Sequence, residues 1–118
     1  MITNQAGIAR GLYTEEEFHA LTAWIDGELA AFGAHIDATY YCPHHPTEGR
    51  NEYRRRCSCR KPAPGLILRA LDEWGFDPVR SVMVGDREHD MMAARAAGLR
   101  AARFTGANLL DCVRQALP

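Results

Sequence analysis

Ser81-Val82-Met83-Val84-Gly85-Asp86-Arg87-Glu88-His89-Asp90 decides the fold: a short apolar strand runs into a Gly-Asp turn, and a helical pattern follows. That helix is expected from about Glu88 to Ala97, with Gly98 behind it, and Ala101 to Phe104 reads as a second strand. Strand, helix and strand in close succession make a βαβ unit, which implies a parallel sheet. The pattern continues in both directions. Pro64 opens a helix along which Leu66, Leu68, Leu71 and Trp74 recur before Gly75 ends it, and Asp77-Pro78 is a turn. Asn108 can cap a last helix carrying Leu109, Leu110, Val113 and Leu117. Nearer the start, Thr14 and Glu17 form a capping box, and Phe18, Leu21, Ile25, Leu29 and Phe32 predict a helix from about Glu15 to Phe32. Ile36 to Tyr41 reads as a strand that runs into Cys42, whereas Pro43 to Lys61 has no period and reads as a loop. The fold class is α/β, a parallel sheet with flanking helices.

Acidic side chains number 15 and basic ones 14, a balance that argues against a domain built to grip nucleic-acid phosphates. No run of eighteen apolar residues is present, so no membrane partner is expected. Ala supplies 18 of the hydrophobic residues and Leu, Ile, Val and Phe together only 23, which predicts a thin core. The first residues carry neither a basic nor an apolar leader pattern, so a reducing cytoplasm is expected. Three of the four cysteines crowd into one segment beside two histidines, while Cys112 sits in a helical pattern and is expected to be a buried structural thiol.

Cys42-x-His44, then twelve residues, then Cys57-x-Cys59 is the strongest chemical signal. Three thiolates and an imidazole are the ligands Zn2+ takes in closed tetrahedral sites, and two ligand pairs flanking a loop let a metal clip it shut; the other reading is a cluster of reduced thiols. His45 could replace His44, and His44 is the favoured ligand. Asp86 stands beyond the carboxyl end of a parallel strand, where open α/β sheets bind ligands, with Asp90 one helical turn later. Two carboxylates there suit Mg2+, or Asp86 simply caps the helix. Lys61 is the one lysine in a chain with 13 arginines, which suggests a compact point charge on a phosphoryl oxygen. Arg50, Arg54, Arg55 and Arg56 make the loop basic: a solvated face, or help for a second anionic group.

Three separated motifs share one resemblance. Thr3-Asn4-Gln5-Ala6-Gly7-Ile8-Ala9-Arg10-Gly11, Cys42-Pro43-His44-His45-Pro46 with Cys57-Ser58-Cys59-Arg60-Lys61-Pro62, and Gly85-Asp86 with Asp90 resemble the haloacid dehalogenase (HAD) superfamily. More narrowly the chain is similar to the D-glycero-D-manno-heptose 1,7-bisphosphate phosphatases, whose loop is clipped by zinc. The zinc-bearing histidinol-phosphate phosphatases share the Cys and His pieces but have a shorter loop. The resemblance implies a Mg2+-dependent phosphatase acting on a sugar phosphate in nucleotide-heptose synthesis for bacterial cell-surface glycans. It further implies that Thr3 binds phosphate, Asn4 lines the pocket, Lys61 is the catalytic cation, Arg60 orients substrate and Asp86 ligates Mg2+, with Asp90 in support. Arg87 stands where these enzymes usually have Lys, which would alter a substrate contact.

The family's nucleophile motif, Asp-x-Asp-Gly-Thr on the first strand, is absent from these residues; Asp26-Gly27 lies inside a helix and has no Asp two places before it. Residues 1–118 are therefore expected to be a single partial HAD-like domain with its zinc loop at 42–59. They read as the C-terminal part of a heptose bisphosphatase begun at an internal Met, with the missing strand separating the second and third from the fourth and fifth. Two functions of different class follow: a phosphatase that is inactive in this form, or a non-catalytic zinc-stabilised domain that binds sugar phosphates.

Overall fold

The computed structural model describes residues 1–118, which divide into two compact units, Met1–Cys57 and Ser58–Pro118. The first unit is built on two parallel strands, β1 (Ile2–Asn4) and β2 (Tyr40–Cys42), in the register Ile2 to Tyr40, Thr3 to Tyr41 and Asn4 to Cys42. A one-turn helix α1 (Ala6–Ala9) follows β1; four residues are too few for a periodic signal, and the sequence did not announce it. Helix α2 (Glu15–Ala30) begins at the expected box: Glu17 N–H donates to Thr14 Oγ1 at 3.1 Å and Thr14 N–H to Glu17 Oε2 at 3.0 Å. Such a cap contributes about 1 kcal/mol. Three glutamates in the first turn add favourable charge at the positive end of the helix.

Two expectations fail here for lack of a partner. The strand expected over Ile36 to Tyr41 starts only at Tyr40, because β1 is three residues long and offers nothing further to pair. The apolar stripe of α2 buries Phe18 alone, with Leu21 and Trp24 left more than half exposed, since no second apolar layer of the first unit lies against it. The core is thin, as its composition implies.

In the second unit, α3 (Gly65–Trp74) ends at Gly75 in the left-handed conformation, φ 65°, as expected of a helix-terminating glycine. Leu66 and Ile67 are its buried residues, not Leu68 and Trp74, which are nearly half exposed. Strand β3 (Val82–Gly85), helix α4 (Glu88–Ala96) and strand β4 (Arg100–Arg103) form the expected βαβ unit, paired in parallel from Val82 with Arg100 to Gly85 with Arg103. The buried face of α4 is Met91, Ala93 and Ala94, with Ala97 just beyond, and these small side chains let the helix lie close to the strands. Helix α5 (Leu109–Ala116) is capped by Asn108 through Asp111 N–H, yet Leu109, Leu110 and Leu117 stay more than half exposed. Cys112 is half-buried rather than buried. No helix is long and apolar enough to cross a membrane.

Candidate active site and metal loop

Strand β2 delivers Cys42, fully buried, to the start of the loop. Its Sγ lies 3.5 Å from Cys57 Sγ and 3.6 Å from His44 Nδ1. With Cys59, two residues on from Cys57, all four ligand atoms fall within 4.8 Å of one another. A tetrahedron of zinc bonds has edges of roughly 3.8 Å, so donor type, number and spacing suit Zn2+. Burial and the nearby Arg55 guanidinium hold the His44 imidazole below its ordinary value, favouring the neutral, ligating form. His45 is occupied elsewhere: its Nδ1 accepts the backbone N–H of Glu48 at 2.9 Å and of Thr47 at 3.3 Å. The purified protein is expected to carry close to one zinc per chain, lost in the Cys57→Ser, Cys59→Ser double variant. Metal analysis finding none in the unaltered chain, or no change in the variant, would refute this assignment.

The Gly85-Asp86 turn is built around a buried ion pair. Asp90, 4% exposed, accepts Lys61 Nζ on Oδ1 at 2.6 Å and Arg87 N–H on Oδ2 at 3.1 Å. Burial alone would raise the Asp90 carboxyl; the Lys61 ammonium and the Arg87 N–H outweigh it and hold the group below the ordinary aspartate value. Gly85 makes this possible, because a Cβ there would lie 2.6 Å from the Asp90 carboxylate. Two expectations sharpen accordingly. Asp86 does not cap α4: the side chain reaching back to the helix start is Asp90. The two carboxylates also differ in surroundings, for Asp90 is turned under to the Lys61 ammonium while Asp86 is exposed beyond β3. Lys61 is thereby brought to the turn that carries Asp86, and half-buried Arg60 precedes it in the chain while Arg87 is exposed.

In the first unit, Thr3 sits inside β1, opposite Tyr41, with Asn4 opposite Cys42. Thr3 Oγ1 accepts Gln5 Nε2 at 2.9 Å, and Gln5 Oε1 in turn accepts the Tyr13 hydroxyl. Gly7 leaves room beneath that ring, since a Cβ would come to 2.2 Å from Tyr13 and its side chain would have to shift. Sequence reasoning missed Gln5 and Tyr13; eight residues apart, one capping α1 and the other past its end, they show no period that would link them. A groove of about 750 Å³ between β4 and α5 touches none of the motif residues.

Residues 58–106 match the HAD-hydrolase-like family model. The chain is 52% identical over 99 residues to the D-glycero-beta-D-manno-heptose-1,7-bisphosphate 7-phosphatase of Vibrio cholerae, covering 84% of this chain and 53% of that protein. It is 50% identical over 99 residues to the Escherichia coli K12 enzyme of the same name, covering 84% and 52%. Among solved structures it resembles the D,D-heptose 1,7-bisphosphate phosphatase of B. bronchiseptica complexed with magnesium and phosphate, at TM-score 0.77, 33% identity, 98% of this chain and 61% of that one. The fold is that of the HAD-like hydrolases. A second HAD-like structure, from Mesorhizobium loti, matches at TM-score 0.84 and 27% identity over 96% of this chain and 61% of that one. This HAD-like chain spans about half the length of the curated relatives it matches.

Proposed function

We propose that these 118 residues supply the phosphate-binding, cation-binding and loop-bearing portion of a phosphatase that removes the 7-phosphate of D-glycero-D-manno-heptose 1,7-bisphosphate. What carries the reading is the 52% identity to the Vibrio cholerae heptose bisphosphatase. The twelve-residue gap between His44 and Cys57 agrees with it, being longer than in the histidinol-phosphate enzymes.

In this reading the Thr3 hydroxyl donates to a phosphoryl oxygen while Gln5 occupies its acceptor side, and Asn4 lines the same pocket. Lys61, fixed by Asp90, neutralises charge on the phosphoryl group as the transition state develops. Arg60 orients the sugar phosphate, and Arg87 contributes a planar, forked contact in place of a lysine's point charge. Asp86, an exposed hard oxygen donor at the end of β3, suits Mg2+, which would supply Lewis-acid polarisation of the phosphoryl oxygens. The work belongs to the cytoplasm, where the loop thiols stay reduced, and to nucleotide-heptose synthesis for cell-surface glycans.

The test joins these residues behind the Asp-x-Asp-Gly-Thr strand of a relative and compares substrates with Mg2+ present. Heptose 1,7-bisphosphate is expected to be hydrolysed with a kcat/KM at least about a hundredfold above that for histidinol phosphate, the discrimination a site gains by matching buried polar groups to its substrate. Preference for histidinol phosphate would reverse the assignment.

A further inference from the structure

The loop that carries the metal ligands is also tied down at its far side, by contacts that involve no ligand. Glu15 opens α2, one residue after the Thr14 cap. Its Oε1 accepts the Tyr41 hydroxyl at 2.5 Å and its Oε2 accepts the Tyr53 hydroxyl at 2.7 Å. Tyr41 belongs to β2 and immediately precedes Cys42; Tyr53 ends the 3-10 turn Asn51–Tyr53 in the middle of the loop. One carboxylate therefore joins a helix, a strand and the loop. The Tyr41 ring rests on Phe18 with centroids 4.8 Å apart, which fixes its direction.

Neighbouring contacts act in the same sense. Arg50 N–H donates to the Ala9 carbonyl at 3.0 Å, and Arg10 Nε pairs with Glu48 at 2.8 Å. Gly49, at φ 103°, presses so closely on Ala9 that a Cβ would lie 2.5 Å from its carbonyl oxygen. From Tyr53 the chain of bonds returns toward the ligands: its carbonyl accepts His45 N–H at 3.0 Å, and the His45 carbonyl accepts Arg55 N–H at 2.9 Å.

We propose that Glu15 is a positioning residue for the metal loop, holding segment 45–55 on α2 through Tyr41 and Tyr53 whether or not a metal is bound. A loop closed by metal alone loses its conformational freedom at the moment of binding, and that cost lowers the affinity. Here the latch meets the cost during folding, so Cys42, His44 and Cys57 stand near their bound spacing before the ion arrives. The carboxylate is well chosen: it is acceptor-only, can serve two phenols on separate oxygens, and sits at the positive end of a helix. The inference is independent of the substrate.

The experiment uses the whole chain, zinc-loaded and chelator-stripped, and follows amide hydrogen exchange at His45, Arg50, Tyr53 and Arg55 together with the rate of zinc release to excess chelator. Stripped wild-type protein is expected to keep these amides protected. Glu15→Gln, whose single carbonyl oxygen cannot serve both phenols as a carboxylate does, is expected to lose about tenfold or more of that protection and to release zinc about tenfold faster, the scale of one hydrogen bond to a charged group. Glu16→Ala removes a charge from the same helical turn and should behave as wild type. Stripped wild type exchanging as freely as Glu15→Gln would overturn the proposal, as would Glu15→Gln retaining both protection and zinc. Should Glu15→Gln lose protection throughout α2, Tyr53→Phe decides, because it removes one hydroxyl and keeps the ring: unchanged loop protection in its stripped form also overturns the proposal.

Discussion

Assayed with Mg2+ and heptose 1,7-bisphosphate, the 118 residues alone are expected to release no phosphate above background, while the same residues behind an Asp-x-Asp-Gly-Thr strand turn over. The reason is a shortage of free carboxylates at the right place. In the family one aspartate attacks phosphorus and another protonates the leaving oxygen. Asp90 is the buried partner of Lys61 and of the Arg87 N–H, and Asp86 is committed to the cation in the proposed site. Asp77 caps the 3-10 turn before β3, Asp37 pairs with His35, and Asp26, Asp72 and Asp111 ride on helices α2, α3 and α5. Loss of a nucleophile costs on the order of 10⁴ to 10⁶ in kcat, which puts residual turnover below detection. Mg2+-dependent turnover by the short chain, abolished by Asp90→Asn, would show that another carboxylate attacks. An inactive extended chain would return histidinol phosphate to first place.

The second large effect is on stability. Asp90→Ala leaves the Lys61 ammonium with a side chain 10% exposed and its carboxylate partner gone. Removing one member of a buried pair costs about 3–5 kcal/mol. A domain of ordinary stability has only about 5–15 kcal/mol in all, so urea denaturation of Asp90→Ala at 25 °C should show a large drop in the midpoint for Ser58–Pro118. The pH dependence has a definite sign. The folded Asp90 carboxyl is held below the unfolded value of about 3.9, so its contribution is complete above that pH and is lost as pH falls through the lower, folded value. Wild type and Asp90→Ala should therefore differ by a constant amount above about pH 4 and converge as the pH falls below it. A difference that stayed the same below about pH 4 would mean that packing, not charge, holds the turn.

What the sequence disclosed is what local chemistry writes down. The Thr14–Glu17 box, the Gly75 terminator and the Asn108 cap each act within four residues, and the helices they bound are found within two residues of expectation or, for α4, one. The Cys and His cluster was legible from its donor types and spacing, and His45 was separable from His44 only by its backbone partners. Strand length was not legible, because Ile36 to Thr39 has β character and no neighbour to pair with. Nor was the inward turn of Asp90, which depends on a lysine 29 residues away and on the missing side chain of Gly85. Glu15 looked like one of three equivalent acids in a first turn; only the folded chain brings Tyr41 and Tyr53, 26 and 38 residues distant, to its two oxygens.

The single lysine of the chain, Lys61, lies in the second compact unit, so these residues carry one side-chain amine. Lys61 is shielded and held on Asp90, so acylation there must wait until the turn at Gly85 opens. The protein thus carries its own chemical reporter, a slow amine that times the opening of the turn on which the proposed cation ligand Asp86 sits.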